Sequence, residues 1–305
     1  MGIAFSEGGC AVKLKRITPV DVVIWIALLF CGLICLVPIL NTIAISFSDR
    51  TSAAMGEVAF WPVNFNFSSY KAMLEERQFG QSFLVSVLRV IIGGSINMLL
   101  TILMAFPLSK SPKVFHSKKF YMWFVVFTMM FNGGLVPTFM VVRYLGLMDS
   151  IWALVLPTAV PVFNVILLMN FFKNIPDSLE EAAYVDGANP WYILWHIYVP
   201  LSKAALATVA LFAIVNHWNS FFDGKIYINT QSKLPLQTYI QSLSATLDPT
   251  QMATMSPEEI KEKLAMSSLT FNSAKVMVSM IPILVIYPFL QKYFVTGIVV
   301  GAVKE

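Results

Sequence analysis

The stretch that decides the fold spans Asp177–Ser202 and reads DSLEEAAYVDGANPWYILWHIYVPLS, a polar and aromatic segment between two long apolar runs. Its first half predicts a short helix, in which Asp177 caps the first turn and Glu180 reaches back toward it, as in a capping box. Gly187 can adopt the left-handed conformation that ends a helix. Asn189, followed directly by proline, predicts a second helix start. The sequence therefore predicts two short consecutive helices at a membrane face.

The second of these helices is rich in side chains that suit a lipid headgroup layer. They are Trp191, Tyr192, Trp195, His196 and Tyr198. One interpretation is an amphipathic segment that merely lies on the bilayer. The other is a contact surface for a partner, because Ala182 and Ala183 favour a helix and let another surface approach closely. The residue types alone leave both interpretations open.

The whole chain has the composition of an integral membrane protein. Of its 305 residues, 57% are hydrophobic and only 12% are charged, whereas soluble domains have roughly 25% charged residues. The net charge of +4 comes from basic residues in small groups beside apolar runs, which indicates membrane orientation and not a nucleic-acid partner. Cys10, Cys31 and Cys35 lack the spacing of a disulfide framework or a metal site.

Six apolar runs are each about 20 residues long, enough to cross the hydrocarbon core as a helix. They are Val22–Ile45, Phe83–Leu108, Phe120–Val142, Ile151–Phe172, Leu201–Phe222 and Asn272–Leu290. The predicted fold is therefore all-α and polytopic, with six transmembrane helices in a single domain over 1–305. It comprises a tail over 1–21, a six-span core over 22–290 with a loop over 173–203, and a C-terminal tail over 291–305. The first run has no evident cleavage site and is expected to be an uncleaved signal anchor.

The orientation follows from the charges in the short loops. Four lysines lie between the second and third runs, against Arg143 alone between the third and fourth. The lysines are Lys110, Lys113, Lys118 and Lys119. By the positive-inside rule that loop is cytoplasmic, and so are both termini and the 173–203 loop.

Two long loops, about 49–82 and 223–271, then face outward. The second contains SPEEIKEKL from Ser256, which predicts a surface helix. Each loop is either a solvated connector or a docking surface for another protein.

Several energy sources are disfavoured by the residues. Glu is absent from all six runs, and Asp21, Asp149 and Asp223 fall at their ends, whereas ion-coupled carriers bury such groups. Gly224-Lys225 lacks the glycines of a P-loop, and no H-E-x-x-H segment occurs. An enzyme is therefore not expected. A pore driven by another subunit remains, with a stand-alone carrier or channel as the competing class.

Glu181-Ala182-Ala183, followed by Gly187 and then I-x-x-P-L-S-K, resembles the EAA loop of permease subunits in binding-protein-dependent ABC importers. The segments GGLVPTFMVVRYLGLMDSIWALVLP, NHWNSFF and QKYFVTGIVVGAVKE are similar to the maltose-type carbohydrate branch, above all to its Gram-positive members for complex oligosaccharides. The resemblance covers most of the second half of the chain. It departs at Ala204, where sugar permeases often carry a second proline.

The resemblance implies a type I importer permease in a bacterial cell membrane, forming half of a carbohydrate pore. The implied partners are a homologous second permease in a heterodimer, cytoplasmic ATPase subunits that bind ATP and Mg, and an extracytoplasmic solute-binding protein. This chain itself would bind no cofactor or metal. A peptide or amino-acid permease, which shares the coupling loop, is the alternative within the superfamily.

The resemblance also assigns residues that would contact the ATPase. In the coupling loop they are Glu180, Glu181, Ala182, Ala183, Asp186, Gly187, Pro190 and Pro200. In the C-terminal tail, Gln291 and Lys292 are implied as further ATPase contacts, against a tail that is simply solvated.

Polar residues inside a span are costly unless they face protein or water. Asn132, Asn216, Trp218 and Asn219 are the candidates for the substrate pathway. The last three place an aromatic ring beside side-chain amides. This combination suits contact with a sugar ring and its hydroxyls, and it suits a structural gate equally well. Arg89 is expected to snorkel toward the outer interface, and His217 to be an interfacial residue. For single asparagines such as Asn97 and Asn164, hydrogen bonding between helices is the favoured explanation.

Overall fold

The computed structural model describes residues 19–243 and 269–302, and it is built from helices joined by short turns. In chain order the α-helices are α1 (Pro19–Ser46), α2 (Arg50–Ala54), α3 (Ser68–Glu75), α4 (Arg77–Ser109), α5 (Lys118–Met130), α6 (Leu135–Tyr144), α7 (Ile151–Val155), α8 (Val162–Lys173), α9 (Asp177–Val185), α10 (Pro190–Ile193), α11 (Val199–Leu201), α12 (Lys203–Asn219), α13 (Phe222–Tyr227), α14 (Leu236–Leu243) and α15 (Leu269–Ala302). Short 3₁₀ turns at Leu156–Thr158 and Gln231–Lys233 and a π-helix at Leu194–Tyr198 complete the order. The all-α prediction is confirmed.

Three of these helices, α1, α4 and the Leu269–Phe289 part of α15, are each long and apolar enough to cross a membrane. Three pairs of shorter helices meet the same criterion together: α5 with α6, α7 with α8, and α10–α11 with α12. Counting each pair as one span gives six candidate spans in the described residues, in the places that the sequence predicts.

The apolar runs contain prolines at 137, 157 and 161 that predict interrupted spans, and the three paired spans are bent, by 111°, 48° and 85° respectively. The sharpest bend follows Met130, where Gly134 adopts a φ of +85° that a residue with a side chain rarely adopts. The second bend coincides with Pro161, which precedes α8. The third lies at Ser202, between α11 and α12. The fifth span ends at Asn219 and not at the predicted Phe222, because the backbone of Ser220 is extended.

Helix α4 occupies the centre of the molecule and packs against α7, α8, α12 and α14. At Gly93 the approach of α12 is so close that a Cβ atom would lie 2.6 Å from the His217 ring. Toward the inner end, α4, α8 and the segment from α10 to α12 share an apolar core. Its buried members include Ile102, Ala105, Leu108, Leu168, Phe172, Ile193, Leu194 and Tyr198.

Helices α3 and α14 cover the outer end through a second apolar cluster that includes Met73, Phe79, Leu236 and Phe271. Segment 220–243 is pinned to the spans by hydrogen bonds, for example from the Leu236 amide to Ser86 Oγ at 2.7 Å. This part of the second outer loop is therefore a folded cap, not a solvated connector. The predicted helix from Ser256 to Leu264 lies outside the described residues.

The two terminal helices extend the core. The most apolar stretch of α1 has no buried residue, although α1 contacts α15 along part of its length. Helix α15 continues through Gln291 to Ala302, so no helix end marks the predicted start of the C-terminal tail.

Candidate functional site

Helix α9 begins after Pro176, which occupies the N-cap position without a side-chain hydrogen bond. The predicted capping box is therefore wrong: Asp177 is the first helical residue and Glu180 does not turn back to the helix start. The physical reason is that stronger partners bind Glu180. Its Oε2 atom accepts a hydrogen bond from Lys110 Nζ at 2.6 Å and another from the Tyr198 hydroxyl at 2.6 Å.

The surroundings of this ion pair are largely closed to solvent. Glu180 and Lys110 are each 9% exposed, and the Lys110 ammonium lies 4.0 Å from the centre of the Phe106 ring and 3.9 Å from that of Tyr198. Burial lowers the pKa of Lys110, and the hydrogen bond to Glu180 opposes that shift. Lys110 was predicted only as an orientation charge, and its contact with Glu180 was not predicted.

The end of α9 follows the prediction closely. Gly187 has a φ of +80°, the Ala188 amide donates to the Ala183 carbonyl at 2.9 Å, and the Gly187 amide donates to the Tyr184 carbonyl at 3.0 Å. This is the Schellman pattern, in which a left-handed glycine closes the helix. The predicted second start is also confirmed, because Asn189 Oδ1 accepts from the Tyr192 amide at 2.8 Å.

The predicted coupling residues share an exposed surface, with two exceptions. Ala183 is half-buried and Glu180 is buried, whereas the others are exposed: Glu181, Ala182, Asp186, Gly187, Pro190 and Pro200. Val185, between them, is 87% exposed. An apolar side chain this open on a short helix, flanked by acidic groups, suits contact with another protein.

The predicted pathway residues separate in the structure. Asn216 lines a cavity of about 300 Å³ together with Asn164, Phe163 and Phe212. Asn216 and Asn219 both line a second, more open cavity of about 390 Å³.

Trp218 faces the other way from these cavities. It is 4% exposed, its indole N–H donates to the Ser279 carbonyl at 2.9 Å, and its ring meets Phe83 edge-on. Trp218 therefore does not provide the predicted aromatic ring beside the amides of Asn216 and Asn219. Asn132 lies apart from the cavities, at the bend between α5 and α6, where it accepts a hydrogen bond from the Gly134 amide.

A chain of polar contacts links α4 to the spans around it. Asn97 donates to the carbonyls of Thr158 and Ala159, at the bend between α7 and α8, at 2.8 and 2.9 Å. Its Oδ1 atom lies 2.9 Å from His217 Nε2. His217 is 1% exposed, so the expectation of an interfacial histidine is wrong.

Arg89, on the same helix, is ion-paired with Asp223 and donates to the Ser220 carbonyl at 3.2 Å. It is 1% exposed and does not snorkel, because Asp223 and the Ser220 and Leu154 carbonyls bind its two terminal nitrogens inside the protein. A further buried pair, missed by the sequence analysis, joins Lys275 to Glu76 at 2.8 Å. An arginine or lysine within an apolar run is the signal that points to such a partner.

Residues 84–299 match the family described as the inner membrane component of binding-protein-dependent transport systems. The chain belongs to this permease family. The match spans the residues that line the cavities, the whole of α9 and most of α15. The predictions of a membrane-embedded transport subunit, and not an enzyme, are thereby confirmed.

Two relatives from Bacillus subtilis (strain 168) are similar to this permease over nearly its full length. The polygalacturonan/rhamnogalacturonan transport system permease protein YtcP is 38% identical over 93% of this chain and 98% of its own. Protein LplC is 37% identical over 90% of each chain.

A solved structure shows the same fold. It is the crystal structure of a bacterial ABC transporter involved in the import of the acidic polysaccharide alginate, one chain of which superposes with a TM-score of 0.82. The two sequences are 31% identical, with 92% of this permease and 99% of that chain covered. The predicted type I importer permease fold is confirmed.

Proposed function

We propose that this permease forms one half of the translocation pore of an ATP-driven importer for carbohydrate, most specifically for oligosaccharides. The relatives' names support this substrate class, because one transports polygalacturonan or rhamnogalacturonan and the solved transporter imports alginate. They favour carbohydrate over the alternative of peptides or amino acids.

The observation that carries the coupling role is the exposed face of α9. Glu181 and Val185 are exposed on a short helix that the buried Glu180 anchors, and the exposed Gly187 follows its end. Cytoplasmic ATPase subunits, which bind the ATP and Mg, would bind this face of α9. Closure of the ATPase subunits would then displace α9. The permease itself would bind neither. Gln291 and Lys292, on the continuing α15, would add a second ATPase contact.

The cavities beside Asn216 support a sugar pathway. Amide groups can exchange hydrogen bonds with sugar hydroxyls, and Phe163 and Phe212 can cover the apolar face of a ring. Asn219 extends this lining outward. Trp218 would hold α12 in place through its contact with α15. Asn132 would stabilise the bend of the third span.

The proposed partners fit the surfaces left open. A homologous second permease completes the pore and can cover α1, whose apolar stretch has no buried residue. An extracytoplasmic binding protein delivers the sugar to the folded outer cap of α3, α13 and α14.

The coupling role is tested by charge reversal on α9. Glu181→Lys should reduce copurification of the ATPase subunits and uptake together, because the exposed carboxylate is replaced by a cation at the contact. Lys113→Glu, a charge reversal on an exposed residue of the neighbouring loop, is the matched control and should retain both. Unchanged ATPase binding and uptake in Glu181→Lys would refute the assignment.

The substrate class is tested with the binding protein that partners this permease. Its thermal stability is measured in the presence of a panel of oligosaccharides, with di- and tripeptides as the contrasting panel. Stabilisation by oligosaccharides alone is expected, whereas stabilisation by peptides would overturn the carbohydrate assignment. An Asn216→Leu permease should then transport the identified sugar more slowly while still copurifying with the ATPase.

A further inference from the structure

We propose that Glu180, Lys110 and Tyr198 form a buried joint that carries the movement of α9 into α4, and through α4 to the outer end of the pore. The inference rests on the proposed role of α9 as the ATPase contact. It assigns to these three residues a positioning role and not a docking role, since they are too buried to meet another subunit.

The joint brings together three separate elements. Glu180 lies in the middle of α9, Lys110 is the residue that ends α4, and Tyr198 closes the π-helix that follows α10. A single carboxylate oxygen binds both the ammonium and the hydroxyl at 2.6 Å. Separating the charges would leave a buried ion without its partner, which is far costlier than moving the elements together.

The joint is a polar link between α9 and the end of α4, beside the apolar contact of Ala183 with the core that α4 shares. The backbone of α9 makes few close approaches to the other described helices. A cleft of about 410 Å³ lies between α9 and the segment after α4, and Lys110, Glu180 and Tyr198 are among the residues that line it. The Lys118 ammonium in turn donates to the Lys110 carbonyl. Lys110 is therefore held through its backbone as well as through its side chain. A pull on α9 therefore reaches α4 through side chains.

Helix α4 is suited to transmit such a pull. Its 33 residues form a rod of about 50 Å at 1.5 Å per residue, and its internal proline, Pro107, lies next to the joint. Further along, Asn97 holds the carbonyls at the bend of the fourth span, and Arg89 holds Asp223 at the start of α13. A displacement at Lys110 is thereby delivered to the cavity lining and to the outer cap.

The experiment follows the outer end of the assembled importer, with both permeases and the ATPase subunits present. Nitroxide labels are placed at Leu74 and Tyr144, which are 77% and 91% exposed on the outer side. Their distance is measured by pulsed electron paramagnetic resonance without nucleotide and with ATP, Mg and vanadate. The parent protein should show a nucleotide-dependent change in distance.

Three variants then test the joint. Tyr198→Phe keeps the ring and removes one hydrogen bond, Glu180→Gln removes the negative charge, and Lys110→Met removes the positive charge. Each should lose part or all of the distance change while the ATPase subunits still copurify. Lys110→Met combined with Glu180→Gln should lose no more than the worse single variant, because the residues act as a unit. Lys113→Met is the control and should keep the full change.

The outcomes separate this inference from the coupling role on which it rests. A full distance change in Tyr198→Phe and Glu180→Gln would overturn the joint, as would the absence of any change in the parent. Loss of ATPase copurification in the Glu180 variant would also overturn it, since the residue would then belong to the docking surface. If Glu181→Lys leaves the ATPase bound, the failure lies in the coupling role itself. Tyr198→Phe conserves volume, so the test does not depend on variants that fail to fold.

Discussion

Arg89 and Asp223 place opposite charges inside the outer half of the bundle, with side chains 2% and 20% exposed. Removing one member leaves the other buried without its counter-charge, which typically costs about 3–5 kcal/mol. Arg89→Met is therefore expected to destabilise the purified permease by about 3 kcal/mol, the lower end of that range because Asp223 is partly exposed. Thermal unfolding in detergent measures the effect.

The control for this prediction lies on the same helix. Arg77→Met changes an exposed arginine and should leave the unfolding temperature nearly unchanged. Arg89→Met with Asp223→Asn should recover part of the lost stability, because no uncompensated charge remains. Equal stability of Arg89→Met and the parent would show that the ion pair contributes nothing.

Asp149 gives a prediction about pH. The pKa of this carboxyl lies well below its ordinary value. The main cause is the hydrogen bond from Lys233, and those from Thr230 and the Asn229 amide add to it. A depressed pKa means that the contribution to stability is present above the ordinary value of about 3.9 and is lost only as the pH falls through the lower, folded-state pKa. Acidification from pH 7 to pH 5 should therefore leave these contacts intact.

Hydrogen exchange checks this expectation. The Asn229 and Thr230 amides, which donate to Asp149 at 3.1 and 2.9 Å, should keep the same protection factors at pH 5 and pH 7 after correction for the intrinsic rates. Asp149→Asn should reduce the protection at both pH values. Loss of protection in the parent between pH 7 and pH 5 would contradict the assigned pKa direction.

The residue-level predictions from sequence succeeded where the cause was local. Gly187 and Asn189 are a helix end and a helix start because of their own backbone and side-chain preferences. Glu180 and Arg89 were misassigned because their partners, Lys110 and Asp223, lie 70 and 134 residues away in the chain. No local pattern shows which distant charge a buried side chain will meet.

At the scale of elements, the approach of α4 and α12 depends on a residue without a side chain. A Cβ atom on Gly93 would stand 2.6 Å from the His217 ring, a distance that requires either this ring or its helix to shift. Gly93→Ala should destabilise the permease by about 1–3 kcal/mol, as overpacking in a well-packed core does. Gly94→Ala is a closely matched control, because nothing lies within 4 Å of its added atom.

Thermal unfolding of the two alanine variants decides the point. Similar unfolding temperatures would mean that α12 yields without cost and that the close approach is not required. A selective loss in Gly93→Ala would also be expected to weaken the contact between His217 and Asn97, and so to slow transport.

The apolar runs placed all six spans correctly, since length and hydrophobicity are enough to identify a membrane crossing. The prolines within the runs predict interruptions, but they do not predict the size of the bends. A bend of 111° at a Gly-Gly pair or of 85° at Ser202 depends on which neighbouring elements satisfy the freed backbone groups. Asn97, which holds two such carbonyls at the bend between α7 and α8, is a case in which the sequence shows the residue but not its partners.

At the scale of the whole molecule, two carboxylates of the described bundle form ion pairs with basic side chains. Asp223 binds Arg89 and Glu76 binds Lys275, so these carboxylates are engaged in structural contacts. Uptake in reconstituted vesicles should therefore require ATP and persist when proton and sodium gradients are collapsed. Uptake that continues without ATP but stops with an ionophore would instead indicate an ion-coupled carrier.

The π-helix at Leu194–Tyr198 has a consequence for chimeric transporters. A wider turn accommodates an extra residue, and each residue in a regular helix rotates the next by about 100°. Shortening this segment by one position would swing Tyr198 away from Glu180, even if every amino acid type were kept. Exchange of coupling loops between permeases must therefore conserve the residue count between Asn189 and Ser202, and grafts that match the EAA residues but not this spacing will assemble without working.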